Sequence, residues 1–290
     1  MGGEPFEAFS TESREAISEV LVDMFDGMRT TVVEFGGRAP EPGSAGRALL
    51  DAQATWSLNY VSQPAAEVAK SIVNSTLAGI DQGRMVATNL LDPEALFGLA
   101  TLARGCVEAY AKAWWLMEGP TPEITVTRWL SAIQDEMNTR LRLDPDIEFY
   151  SGRKGRTRVD AEHQIVLSDI QRVSGGLPVS VRPTRLATDF GNVMSASGRM
   201  KYSELSGVAH AEFIALNWFF ASGQDSSFLM SLSRATGLEL VEQVYYATGW
   251  IMKRLLAWSG QPLTTTEPWA ALHDRAHEIL LAERAKSPRS

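Results

Sequence analysis

Apolar residues recur along this chain with the spacing of helix faces. Ile17, Leu21, Met24, Phe25, Met28 and Val32 step by three and four positions, which puts them on one side of a helix. Ser10 or Thr11 caps its start, and Glu12 and Glu15 suit the positive end of the helix dipole. The stretch Gly36 to Gly43, with Pro40 and Pro42, breaks the chain. A second helical region is predicted from about Gly46 to Leu91. Pro64 interrupts or restarts it, because proline lacks an amide donor and crowds the preceding turn.

Two later starts share one grammar. Asp92-Pro93-Glu94 and Thr121-Pro122-Glu123 each read as an N-cap, a proline at the first helical position and an acid behind it. The first of these helices carries Leu96, Leu99, Ala103, Val107, Tyr110, Trp114 and Met117 on one stripe. The second carries Ile124, Trp129, Ile133, Met137 and Leu141. Gly119-Pro120 is so short a connection that the two must be roughly antiparallel neighbours. Residues 144–158 are polar and read as an exposed loop. Further helices are predicted over Val159–Val173, after Pro183, over about Met200–Phe220, over Phe228–Trp258 with a bend near Gly237, and from Thr266-Glu267-Pro268 onward. Only Val179-Ser180-Val181 has strand character. The expected fold class is all-α, a multi-helix bundle of about eight or nine helices with no significant sheet. Residues 1–92 would form an N-terminal helical layer on a main bundle of residues 93–290, the whole being one continuous globular unit.

Composition narrows the chemistry. A length of 290 residues with 44% hydrophobic and 21% charged side chains is ordinary for a globular chain. A net charge of −8 argues against a generally basic nucleic-acid binder and leaves only a local patch for such a role. The single cysteine, Cys106, excludes an internal disulfide and a Cys-rich zinc site, and its apolar neighbours suit a buried inert thiol. The acidic N-terminus has no apolar signal region, and the run Val208–Ala221 is broken by His210, Glu212 and Asn217. A cytoplasmic protein without a membrane partner is expected. No Walker A loop, dinucleotide fingerprint, nucleophile elbow or H-E-x-x-H pair is present, so no cofactor is expected.

Three constellations remain. His273 and His277 stand four apart on the last helix, half of a metal site that would need His163 or Glu162 to complete it. Arg153, Lys154, Arg156 and Arg158 crowd one Gly-containing loop downstream of Arg140 and Arg142. They suit contacts to a phosphate backbone, or a solvated loop balanced by Asp144, Asp146 and Glu148. Arg104, Glu108 and Lys112 form a one-turn row on an otherwise apolar helix. If that helix is internal, the pair Arg104–Glu108 requires partners. Tyr202, Ser206 and His210 share one helix face and are the natural candidates, with His210 at the core margin bonded to Ser206 or to a carboxylate.

The helix phrase from Arg104 through Glu108 to Trp115-Leu116 resembles an R-x-x-x-E…W-L helix of functionally uncharacterised, mostly actinobacterial, all-helical proteins. In those proteins a later helix reads Y-x-x-L-S-x-x-x-H, which here is Tyr202 to His210. The resemblance covers about residues 93–285 and extends distantly to the HEPN superfamily. It implies a helical domain, often a homodimer, that binds RNA or cleaves it without metal. His210 would move a proton at the RNA 2′-hydroxyl. An arginine would stabilise phosphate charge, and Arg153 to Arg158 would hold the backbone. HEPN nucleases carry an Arg-x(4–6)-His motif; Leu205 or Ser206 stands where that arginine would be, so Arg104 or Arg199 would take its part. Two other classes fit the same residues: a non-catalytic protein-interaction or small-ligand-binding bundle, and a metal-dependent helical enzyme built on His273 and His277.

Overall fold

Ser10 caps the first helix, α1 (Thr11–Gly36), its hydroxyl accepting from the Ser13 amide at 3.2 Å. The stripe from Ile17 to Val32 is fully buried, each large side chain contributing about 1.5–3 kcal/mol of burial. The computed structural model describes residues 8–92, 95–144, 148–151, 155–176, 178–179, 182–194, 202–203, 205–207, 210, 220–222, 228–230 and 232–286. After α1 come α2 (Ala45–Ala52), a 3₁₀ turn (Gln53–Thr55), α3 (Pro64–Asn89), α4 (Leu96–Met117) and α5 (Pro122–Leu143). A hairpin of β1 (Glu148–Ser151) and β2 (Gly155–Arg158) leads to α6 (Val159–Ser174) and α7 (Pro183–Met194). A second hairpin, β3 (Phe220–Ser222) with β4 (Phe228–Met230), precedes α8 (Arg234–Ser259), a 3₁₀ turn (Leu263–Thr266) and α9 (Glu267–Ala285). The protein is an all-α multi-helix bundle with two small peripheral hairpins.

Helix α4 is the hub, packed on α3, α8 and α7 and more lightly on α5, while α1 fills the space between α3 and α9. Buried residues of α1 and α3 belong to the same apolar core as those of α4, α5 and α8. The tightest approach is at Gly79 of α3. A Cβ there would stand 2.3 Å from the ring of Tyr110, which is fully buried and meets the Thr248 hydroxyl of α8 at 3.3 Å. Cys106, one turn before Tyr110, is fully buried in the same layer. Trp115, Trp129, Trp258 and Trp269 are buried too, and Trp56, Trp114 and Trp250 pack on the core's edge. Among the described residues no helix is long and apolar enough to cross a membrane.

Several boundaries differ from the sequence reading. Pro64 restarts a helix at its first turn, as the sequence reading allowed, while the helix before it ends at Ala52. The helix expected at Pro93 begins at Leu96, after a turn in which the Asp92 carbonyl accepts the Ala95 amide; Pro93 and Glu94 lie outside the described residues. The expected loop 144–158 contains a hairpin. Its register sets Glu148 opposite Arg158 and Phe149 opposite Thr157. Phe220–Ser222 and Phe228–Met230, expected at a helix end and a helix start, pair as strands. The sequence between them includes Gly223, Asp225 and Ser226, residue types that favour turns. Helix α8 then starts at Arg234, capped by Ser233, so Gly237 falls in its first turn. Val179 lies outside any strand, its amide donating to the Ser131 hydroxyl at 2.9 Å; Ser180 and Val181 are outside the described residues.

Two buried carboxylates pin the periphery. Asp169 of α6 is fully buried and accepts from the amides of Asn59 and Tyr60 and from the Arg172 guanidinium, which also holds the Ser57 carbonyl. It thereby ties the loop before α3 to α6, whose end Gly175 turns in a left-handed conformation. At the other end of the bundle, the Arg234 guanidinium bonds the Glu283 carboxylate at 2.6 Å, both side chains being under 10% exposed. Burial on its own would raise the Glu283 pKa. Hydrogen bonds from Lys286 and Ser13 and the nearby Lys286 and Arg234 charges outweigh it and hold the group below its ordinary value of 4.5. A carboxylate depressed on folding contributes stability that is complete above 4.5 and is lost as pH falls through its lower folded value. Acid titration of the unfolding midpoint should therefore show a decline below about pH 4.5 that is shallower in Glu283→Gln.

Candidate functional site

Arg104 and Glu108 lie one turn apart on α4, and both side chains are largely covered, at 19% and 26% exposure. Across from them runs the segment carrying Tyr202, helical at 202–203 and 205–207. Tyr202 and Leu205 are buried and anchor it. Ser206 is half-buried, its carbonyl accepting the His210 amide at 3.0 Å, and the His210 side chain is exposed.

The two segments meet through four side chains. Tyr202 donates its hydroxyl to Glu108 Oε1 at 2.6 Å, and Arg104 Nε donates to the same oxygen at 2.8 Å. Arg104 Nη1 lies 3.1 Å from His210 Nε2. A guanidinium only donates, so Nε2 is the acceptor in this contact. His210 is thus bonded to Arg104, rather than to Ser206 or a carboxylate. Burial works against the Arg104 charge, but the hydrogen bond and attraction from Glu108 more than offset it and raise its pKa above the ordinary value. Burial, reinforced by Glu108, pushes the Tyr202 phenol up to about 12, so it remains a donor throughout the neutral range. The group places the His210 imidazole beside a guanidinium that Glu108 holds, a pairing suited to proton abstraction next to a developing negative charge. Lys112 does not join it; its ammonium crosses to Glu136 on α5 at 2.8 Å. Arg199 lies outside the described residues.

Beyond Glu108 a cleft of about 430 Å³ opens between α4 and α5. Small side chains create it: Gly105 and Ala109 on α4 face Ala132 on α5. The Gln82 side chain crosses directly over Gly105, where a Cβ would stand 1.7 Å from its Oε1. Asp135 and Glu136 were not singled out by sequence reasoning. Their signal would have been acids one turn past a small residue on a face opposite Gly105 and Ala109.

The basic loop is a hairpin over the residues described. Arg158 ion-pairs with Asp160 at 3.0 Å, and the backbone of Arg156 pairs opposite Tyr150; Arg153 and Lys154 lie outside the described residues.

The metal reading of His273 and His277 finds no third ligand among the described residues, where no group of three ligands could hold a metal ion. Glu162 and His163 sit on α6, where Thr157 and Gln134 contact them. His273 instead turns into α8, stacked on Tyr245 at 4.4 Å with its Nδ1 3.2 Å from the Tyr245 hydroxyl; His277 stacks on the same ring. Desolvation is the main cause that lowers the His273 pKa below its ordinary 6.5. Lys253 and His277 act in the same direction, and Asp274 opposes them. A histidine depressed on folding contributes stability that is full above 6.5 and fades as pH falls through its folded value. The wild-type unfolding midpoint should fall on acidification below 6.5, and His273→Phe, which keeps a stacking ring but no titrating group, should flatten that fall.

No family model, curated protein or solved structure matches this chain.

Proposed function

We propose that this chain is an RNA-directed helical protein of HEPN-like chemistry, with its working centre at the contact of Arg104 with His210. The observation that carries the proposal is the 3.1 Å approach of these two side chains, 106 positions apart in sequence, with the imidazole open to solvent. Support comes from Glu108, whose Oε1 accepts from both Arg104 Nε and the buried Tyr202 hydroxyl.

In this reading a non-bridging phosphate oxygen of RNA replaces His210 as the acceptor for Arg104 Nη1. The Nε2 lone pair is released and takes the proton of the neighbouring 2′-hydroxyl. The 2′-oxygen attacks phosphorus, the bond to the 5′-oxygen breaks, and the leaving alkoxide takes a proton from solvent. The products are a 2′,3′-cyclic phosphate and a 5′-hydroxyl, with no metal in the balance. Arg158 and the rest of the basic hairpin would hold backbone phosphates, and a homodimer would be the working form.

The test is incubation of the full chain with unstructured RNA in excess chelator, with end-group analysis of the products. Cleavage to cyclic phosphate ends, absent for a 2′-deoxy substrate, supports the reading; intact RNA, or cleavage that requires added metal, overturns it. A second reading is a non-catalytic, ligand- or protein-binding bundle. It is favoured by Glu108, whose carboxylate already neutralises Arg104.

A further inference from the structure

We infer that the first half of α9, residues 267–277, is an acid-sensitive strap: it seats on α1 and α8 at neutral pH and lifts in mild acid, while the second half stays clipped. Helix α9 lies along α1 and touches α8 only lightly. Its first half is held by shape. Leu272 and His273 enter two places where the facing helix carries glycine. A Cβ on Gly27 of α1 would stand 2.8 Å from the Leu272 tip, and one on Gly249 of α8 would stand 2.6 Å from His273 Nε2. Trp269 is buried beside them, its ring centroid 5.0 Å from that of His273.

This end of the helix also has two weak points. The Trp269 indole N–H is buried with no acceptor among the described residues, a donor that opening returns to water. Thr266 makes no side-chain capping bond to the start of α9, and an uncapped end opens more readily.

The acid response comes from His273. Among the described residues, the titratable groups that face it are Tyr245 and Lys253 from α8 and Asp274 and His277 from α9. The 3₁₀ turn before α9 brings none, and the acids of α1 on this seam, Glu19 and Asp23, pair with Arg275. Asp274 favours a proton on the ring, but its carboxylate is exposed and 3.8 Å from Nδ1. Desolvation, Lys253 and His277 work against that proton and prevail. The lifted state, in which the imidazole meets water, therefore gains as pH falls below 6.5.

The other end answers to a different range. Arg234 holds the Glu283 carboxylate at 2.6 Å and the Glu283 carbonyl at 2.8 Å, Lys286 joins the same carboxylate, and Arg284 pairs with Glu242. Glu283 titrates below 4.5, so between pH 6.5 and 4.5 the clip holds while the strap loosens. Lifting uncovers the Trp269 indole, the Tyr245 ring and the surface of α1 at Gly27.

Hydrogen exchange of the full chain, read by mass spectrometry at about pH 7.5 and about pH 5 and corrected for intrinsic rates, tests this. Peptides over 267–277 should exchange faster than those over 279–285 and α4, through an opening that dilute urea hardly changes. That opening should be at least about threefold more frequent at the lower pH. His273→Phe, which keeps a ring in the seat, should remove the acid response. Gly249→Ala, which drives a methyl against the imidazole, should raise the opening already at the higher pH, and circular dichroism confirms that each variant is folded. If His273→Phe does not fold, the wild-type pH profile decides: a rise that begins below 6.5 supports the strap, and one confined below 4.5 overturns it. The proposal is also overturned if 267–277 matches α4 in rate and urea dependence, if 279–285 opens with it, if the acid response survives in His273→Phe, or if Gly249→Ala leaves the opening unchanged.

Discussion

His210→Ala is expected to lower RNA cleavage by about 10²–10⁴-fold, the usual worth of a positioned acid–base group, while moving the unfolding midpoint very little. The asymmetry follows from where the side chain sits. His210 is exposed, and its described side-chain contact is with Arg104. Deleting it leaves Arg104 held by Glu108 and leaves Tyr202 and Leu205 seated, so the stability cost should stay within about 0.5 kcal/mol, as for surface changes generally. Glu108→Ala behaves differently: it strands the Arg104 charge and the Tyr202 hydroxyl at a covered site, and both stability and cleavage should drop. Thermal melts and initial rates on the same preparations separate the two. A His210→Ala protein that cleaves normally but melts early would assign the imidazole to architecture and end the catalytic proposal.

Asp169→Asn should cost about 3 kcal/mol of stability despite matching the side chain's shape. The fully buried carboxylate takes the Asn59 amide at 2.9 Å, the Tyr60 amide at 2.7 Å and Arg172 Nη1 at 2.9 Å. Each of these is a donor. An asparagine turns one of the accepting oxygens into an NH₂ that faces other N–H groups, and it removes the charge opposite Arg172. Urea unfolding measures the loss. A loss under about 1 kcal/mol would mean that the loop at 57–60 is held by other contacts.

The long amphipathic helices were legible because their burial is one-sided and periodic. The stripe from Ile17 to Val32 is buried as its spacing required, and Ser10 and Thr121 cap as their positions implied. The hairpin at 148–158 was not legible, because strands with Glu148, Arg156 and Arg158 on them show no apolar alternation. The second hairpin was hidden for the opposite reason. Phe220 and Phe228–Met230 are as apolar as the helix stripes elsewhere in the chain, and short apolar runs do not distinguish strand from helix. Within the candidate site, the row Arg104–Glu108 could be read from spacing on an internal helix, and so could its meeting with Tyr202 and His210. What spacing could not supply was the partner of His210, which depends on how far the guanidinium reaches beyond Glu108. Nor could it supply the cleft, which arises from missing volume at Gly105, Ala109 and Ala132 rather than from any chemical group.

The layer around Tyr110 has a practical consequence. Cys106 is the chain's sole sulfhydryl, sealed completely and pushed far up in pKa by its burial, so it reacts with an alkylating reagent only when α4 parts from α3 and α8. Its labelling rate is thus a built-in clock for opening of the hub. Hydrogen exchange and proteolysis report on many places at once, whereas this one atom times a single event at the centre of the molecule.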